Sequence, residues 1–304
     1  MTTTPDDPAR PLHDFAAQHE FLIGLDSDGC VFDTMEVKHK ECFIPCTIRH
    51  FGLQAVSKYA REAAEFVNLY STWRGSNRFP ALLRTLELLG RRGDVLARSF
   101  VVPELAALRA WLAAEPKPGN PALTAAAERA AGAARAELEQ VLAWSHDVNN
   151  AIGALVMNVP PFPLVRECLT AASRQADLLV VSATPHEALA REWQEHDIAR
   201  HVAVIAGQEM GAKKDHLRIA MANRYRPENV LMVGDAPGDL QAARANGARF
   251  YPIVPGAEAE SWQRFLEEAL ERFFAGRYAG AYENARIAEF EALLPEAPPW
   301  QRQA

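Results

Sequence analysis

The second half of the chain alternates between short apolar runs and longer amphipathic stretches. Residues 177–183 (DLLVVSA), 201–207 (HVAVIAG), 229–235 (NVLMVGD) and 248–254 (ARFYPIV) are strand-length apolar runs. Residues 185–196, 214–225 and 238–246 lie between them with helical spacing, and Gly247 stands at the last C-cap. A similar run, 21–25 (FLIGL), lies near the N-terminus and feeds an acidic loop. Strands that are apolar throughout and alternate with helices predict βαβ units and a parallel sheet covered on both faces.

Between the first strand and the rest, the period is helical. Helices are expected over 35–50, 59–70, 80–89 (with Pro80 at its start), 99–114 and, despite Gly132, over 122–148. The run EPKPGNP at 115–121 is a breaker, and the change of character falls at NVPPFP, 158–163. The C-terminal stretch 258–294 reads as helical. Its Trp262, Phe265, Phe273, Phe274, Tyr278 and Tyr282 are expected to pack on the core. The predicted organisation is an N-terminal arm (1–20), a discontinuous α/β core (21–34 and 158–304, with 258–304 a helical extension) and a helical insert (35–157).

Composition narrows the function. The chain has 304 residues, 49% apolar and 23% charged, which suits an ordinary soluble core. A net charge of -7 and a pI near 5.8 speak against a nucleic-acid binder. They allow a phosphorylated substrate, since a bound metal reverses the local field. Cys30, Cys42, Cys46 and Cys168 are too few and scattered for a disulfide scaffold, which points to a reducing, cytoplasmic setting. Cys42 and Cys46 are one helical turn apart and read as core residues. No apolar run approaches the ~20 residues of a membrane helix. The opening MTTTPDDPARPLHDF lacks the charged-then-apolar pattern of a secretory signal.

The chemistry gathers just beyond the strands. Asp26, Asp28 and Gly29 follow the first; Ser182, Ala183 and Thr184 follow the second. Lys213 and Lys214 come after the third, and Asp235 and Asp239 after the fourth. In an open α/β sheet such loops meet at the carboxyl edge, where ligands bind. Clustered carboxylates are hard oxygen donors suited to Mg²⁺. A divalent cation and a lysine would relieve their repulsion and keep Asp26 ionised. An ionised carboxylate can attack phosphorus, and a second can protonate the leaving oxygen. The Ser182 hydroxyl and backbone N–H groups such as that of Ala183 can hold phosphoryl oxygens. Any one of these loops alone would be an ordinary turn or cap; all four in order, each after an apolar strand, form a specific pattern.

In these four segments the sequence resembles the haloacid dehalogenase-like hydrolase superfamily. LIGLDSDGCVFD, VVSATP, GAKKDHL and VGDAPGDL are similar to its four motifs, and the resemblance covers 21–33 and 160–254. It implies a Rossmann-like core with a C1-type helical cap. It implies Asp26 as nucleophile, Asp28 as general acid/base and Ser182 as phosphate contact. It also implies a motif lysine, Lys213 in preference to Lys214, and Mg²⁺ held among Asp26, Asp28, Asp235 and Asp239. Asp28 favours phosphate esters over carbon–halogen or carbon–phosphorus bonds. The implied activity is a Mg²⁺-dependent phosphatase, with a sugar-phosphate mutase as the alternative. A helical cap suits a small phosphorylated metabolite, and Arg74 and Arg78, in the loop WRGSNRF, are candidate anion contacts.

Overall fold

The structure is a computed structural model and describes residues 7–301. The chain divides into two compact units: Met1–Met35 with Asn158–Leu293, and Glu36–Met157 with Leu294–Ala304.

The first unit is built on five parallel strands: β1 (Phe21–Leu25), β2 (Ala176–Val181), β3 (Val204–Ala206), β4 (Val230–Gly234) and β5 (Arg249–Pro252). Their order is β3-β2-β1-β4-β5. The chain runs outward on one side of β1 and then returns to build the other, so strand order reverses at β1. Central position explains the apolar character of β1, β2 and β4, which are buried almost throughout. Gly24 is small for the same reason. A Cβ there would lie 3.1 Å from Leu217 and 3.2 Å from both Met232 and Val181. The C-terminal aromatics do pack on this core: Trp262, Phe265, Phe273 and Tyr278 are buried in it, and Phe274 and Tyr282 lie against it.

The N-terminal arm is better anchored than a loose arm would be. Arg10–Asp14 is a helix with Leu12 buried, and Arg224 donates to the Leu12 and His13 carbonyls. The Gln18 and His19 N–H groups both donate to Asp177 Oδ2 at 3.0 Å. Residues 1–6 of the predicted arm lie outside the described residues.

The second unit is helical around its own core. Phe79, Trp111 and Trp144 pack edge-on at its centre, with Phe79 5.4 Å from Trp111 and 6.3 Å from Trp144 between ring centroids. Two helix expectations are corrected. The stretch 122–148 is two helices, Asn120–Arg129 and Gly132–Leu155. Gly132 has φ +57, a left-handed conformation that propensity alone did not reveal. The stretch 99–114 is helical only over Ala106–Ala114; Ser99 and Leu105 adopt positive φ and Pro103 lies between them. The helical run from Thr34 to His50 includes a π turn over Lys38–Phe43. No helix among the described residues is long and apolar enough to cross a membrane.

Candidate active site

All the core site residues lie at the carboxyl edge of the sheet. The Asp26 N–H continues the β1–β4 ladder by donating to the Val233 carbonyl at 2.9 Å. The Ser182 N–H does the same for β2–β3 with the Ala206 carbonyl at 3.0 Å. Each residue is thus the first to leave a fixed strand, so the sheet sets its position.

Asp26, Asp235 and Asp239 form one cluster. Each offers a carboxylate oxygen within 4.8 Å of the others, and relative exposures of 5%, 1% and 0% leave little room for water to screen them. Lys213 joins two of them, with Nζ 2.6 Å from Asp26 Oδ2 and 2.7 Å from Asp239 Oδ1. It is the first residue of the helix Lys213–Met221, whereas Lys214 is exposed. Lys213 is thus the one of the pair that reaches the carboxylates. Asp239 also accepts the Ala236 N–H at 3.0 Å, which fixes the start of the helix Pro237–Ala245.

Burial raises the Asp26 carboxyl above the ordinary carboxylate range, and the neighbouring Asp239 adds to the rise. Lys213 and the Ser27 N–H oppose it. Asp239 is raised likewise by burial, with Lys213 opposing and Asp235 reinforcing. Burial works against the Lys213 ammonium, yet Asp239 and Asp26 together hold it charged well above its usual range. Three carboxylates are buried here, and Lys213 bridges two of them. Hard oxygen donors this close together fit a divalent cation.

Asp28 is engaged differently. Thr34 Oγ1 donates to its Oδ1, and Thr184 Oγ1 donates to its Oδ2 at 2.7 Å. Its carboxylate is therefore held between two hydroxyls and is not one of the three in the metal-capable cluster, in contrast to the expectation that all four carboxylates bind the ion. Neither threonine stood out in the sequence, where a hydroxyl after a strand reads as a cap. Ser182 is buried and its Oγ accepts the Thr184 N–H at 3.2 Å; Ala183 beside it is exposed.

Arg74 and Arg78 lie in the second unit and are built into its packing. Arg74 is buried and donates to the Leu69 carbonyl at 3.0 Å. Arg78 donates to Ser145 Oγ at 3.0 Å and Asn149 Oδ1 at 2.7 Å, with its guanidinium 5.1 Å from the centre of the Phe43 ring. Burial lowers its pKa to about 10. Both candidate anion contacts are thus engaged within their own unit. The four cysteines are free and buried, as core residues would be.

A parallel sheet with its strand order reversing at β1, and an aspartate–lysine cluster on that edge, give an α/β protein of Rossmann-like architecture. Residues 125–253 match the family model described as haloacid dehalogenase-like hydrolase. The match takes in β2 to β5 and the loops of Ser182, Lys213, Asp235 and Asp239; Asp26 joins them through β1, which pairs with both β2 and β4. This part of the chain is similar to that superfamily.

Solved structures resemble it at low identity. One is a haloacid dehalogenase-like family protein from Streptococcus pneumoniae (14% identity, 80% of this chain and 90% of that one, TM-score 0.43). Another is a predicted phosphoglycolate phosphatase from Haemophilus somnus (19%, 80% and 92%, TM-score 0.41). A third is CbbY from Rhodobacter sphaeroides in complex with phosphate (17%, 77% and 87%, TM-score 0.39). At these scores they bear on neither substrate nor mechanism. No curated protein matches the chain.

Proposed function

We propose that the protein is a Mg²⁺-dependent phosphatase of small phosphate monoesters that works through an aspartyl-phosphate on Asp26. The observation that carries this reading is the Lys213 ammonium bridging Asp26 and Asp239 within a cluster of three buried carboxylates.

Asp26 Oδ attacks the phosphorus, and the bond from phosphorus to the ester oxygen breaks. Asp28 in its acid form gives its proton to the departing alkoxide. Asp28 as carboxylate then takes a proton from water, whose oxygen attacks the phosphorus and frees inorganic phosphate and Asp26. Ser182 Oγ and the Ala183 N–H hold equatorial phosphoryl oxygens, and Lys213 offsets the charge that builds on them. Asp26, Asp235 and Asp239 would hold a divalent cation, which when bound would supply Lewis-acid stabilisation of phosphoryl charge. In this reading Asp28 acts as the proton carrier, and Thr34 and Thr184 position its carboxylate. The helical unit is read as the cap. A mutase would use the same nucleophile and return the phosphoryl group to a sugar; the hydrolase reading follows the family model that matches.

The test is phosphate release from a generic aryl phosphate with Mg²⁺. Asp26→Asn is expected to abolish it, and Mg²⁺-dependent turnover that survives the substitution would overturn the reading.

A further inference from the structure

Ser27 lies between the two acids and is wholly buried, as is Trp193. The Ser27 N–H donates to Asp26 Oδ1 at 2.8 Å. Its carbonyl accepts the Val31 and Phe32 N–H groups at 2.9 and 3.0 Å, which closes the loop that carries Asp28. Its hydroxyl accepts the Trp193 indole N–H at 3.0 Å, across 166 residues of sequence. Every polar group of Ser27 thus bears on the loop that holds the acids or on its anchor.

The pairing is chemically complementary. A buried hydroxyl without a partner is costly, and an indole offers one donor and no acceptor. Trp193 sits on the helix His186–Glu195, which follows the Ser182–Thr184 loop. Its ring meets Phe32 edge-on, 5.9 Å between centroids, and Phe32 is in turn bridged to Asp28 and Pro161. An apolar side chain at position 27 could fill this space without fixing its rotation; a directional hydrogen bond fixes it. Because Ser27 is the pivot between Asp26 and Asp28, a small backbone rotation there would swing both carboxylates.

We propose that Trp193 is a positioning residue for the reaction at Asp26: its indole N–H fixes Ser27, and Ser27 sets the relative orientation of Asp26 and Asp28. The inference rests on the phosphatase reading above. It makes Trp193 the link between the nucleophile loop and the helix behind the phosphate-contact loop.

Trp193→Phe keeps an aromatic ring and removes the N–H; Ser27→Ala removes the acceptor. The two single variants, the double variant and Asp26→Asn are assayed together with an aryl phosphate and Mg²⁺, alongside thermal melts. Each single variant is expected to lose about tenfold in kcat with KM within about twofold, the signature of an interaction that matters in the transition state. The double variant is expected to fall no further than the worse single one, because both remove the same contact. Losses that multiply in the double variant overturn the proposal. So does a Trp193→Phe enzyme that melts lower but keeps its kcat, since Trp193 would then act by packing alone. Turnover by Asp26→Asn would instead overturn the phosphatase reading.

Discussion

The Asp239 carboxylate occupies the space a side chain on Gly234 would need: a Cβ at Gly234 would lie 2.3 Å from Asp239 Cγ. Gly234 ends β4 and Asp239 opens the next helix, so this missing side chain lets the carboxylate reach both Lys213 and the Ala236 N–H. Gly234→Ala is expected to displace Asp239 and loosen Lys213. A displacement of about 1 Å at such a site costs on the order of a hundredfold in rate. Steady-state kinetics should show that loss in kcat, with the far-UV circular dichroism of a folded protein.

The Thr184 hydroxyl is expected to matter through Asp28 Oδ2, 2.7 Å away. Thr184→Val removes the donor at nearly constant volume. A hydrogen bond to a charged group contributes about 1.5–3 kcal/mol, so kcat is expected to fall by roughly tenfold or more. Thr184→Ser keeps the hydroxyl and should recover most of the rate. Equal losses in both variants would remove the hydroxyl from the account.

His216 gives a pH dependence of stability. It is fully buried, with the Gly211 and Gly207 backbone beside its ring. Burial, with the nearby Lys213 charge second, lowers its pKa from 6.5 to about 4. The unfolded chain therefore takes up a proton near pH 6.5 that the folded chain refuses until about pH 4. The contribution to stability is fully present above pH 6.5 and is lost as pH falls toward 4, on the order of 3 kcal/mol in all. Urea unfolding of His216→Leu across that range should show a shallower decline than the parent protein.

Metal binding should be visible without turnover. A cation that binds the folded chain alone raises its melting temperature by mass action. Mg²⁺ is expected to raise the melting temperature of the parent protein and to do so far less for Asp235→Asn, at least about tenfold more Mg²⁺ being needed for the same shift. Equal Mg²⁺ responses in the two proteins would take Asp235 out of the ligand set.

Much of the core was legible because its signals are local. FLIGL followed by two aspartates, and VLMVGD followed by Asp239 a turn later, place chemistry directly after buried strands, and the parallel sheet brings those loops to one edge. The lysine was only half legible: Lys213 and Lys214 are adjacent at a helix start, and only the direction of that first turn separates the one at 2.6 Å from Asp26 from its exposed neighbour. Contacts across long sequence separations left no trace. Nothing near Ser27 announces Trp193, and Thr184 resembles many residues that merely follow strands. In the helical unit, the alanine-rich pattern around Gly132 fits one helix as well as two, because propensity does not report φ.

The proposed covalent step at Asp26 is tested most directly by rapid acid quench of the enzyme turning over a phosphate-labelled aryl ester with Mg²⁺. Peptide mapping is expected to find the phosphoryl group on the segment containing Asp26, labile to base, and absent from Asp26→Asn. A fully active enzyme that carries the label on another residue, or that yields no adduct at any quench time under saturating substrate, would contradict it.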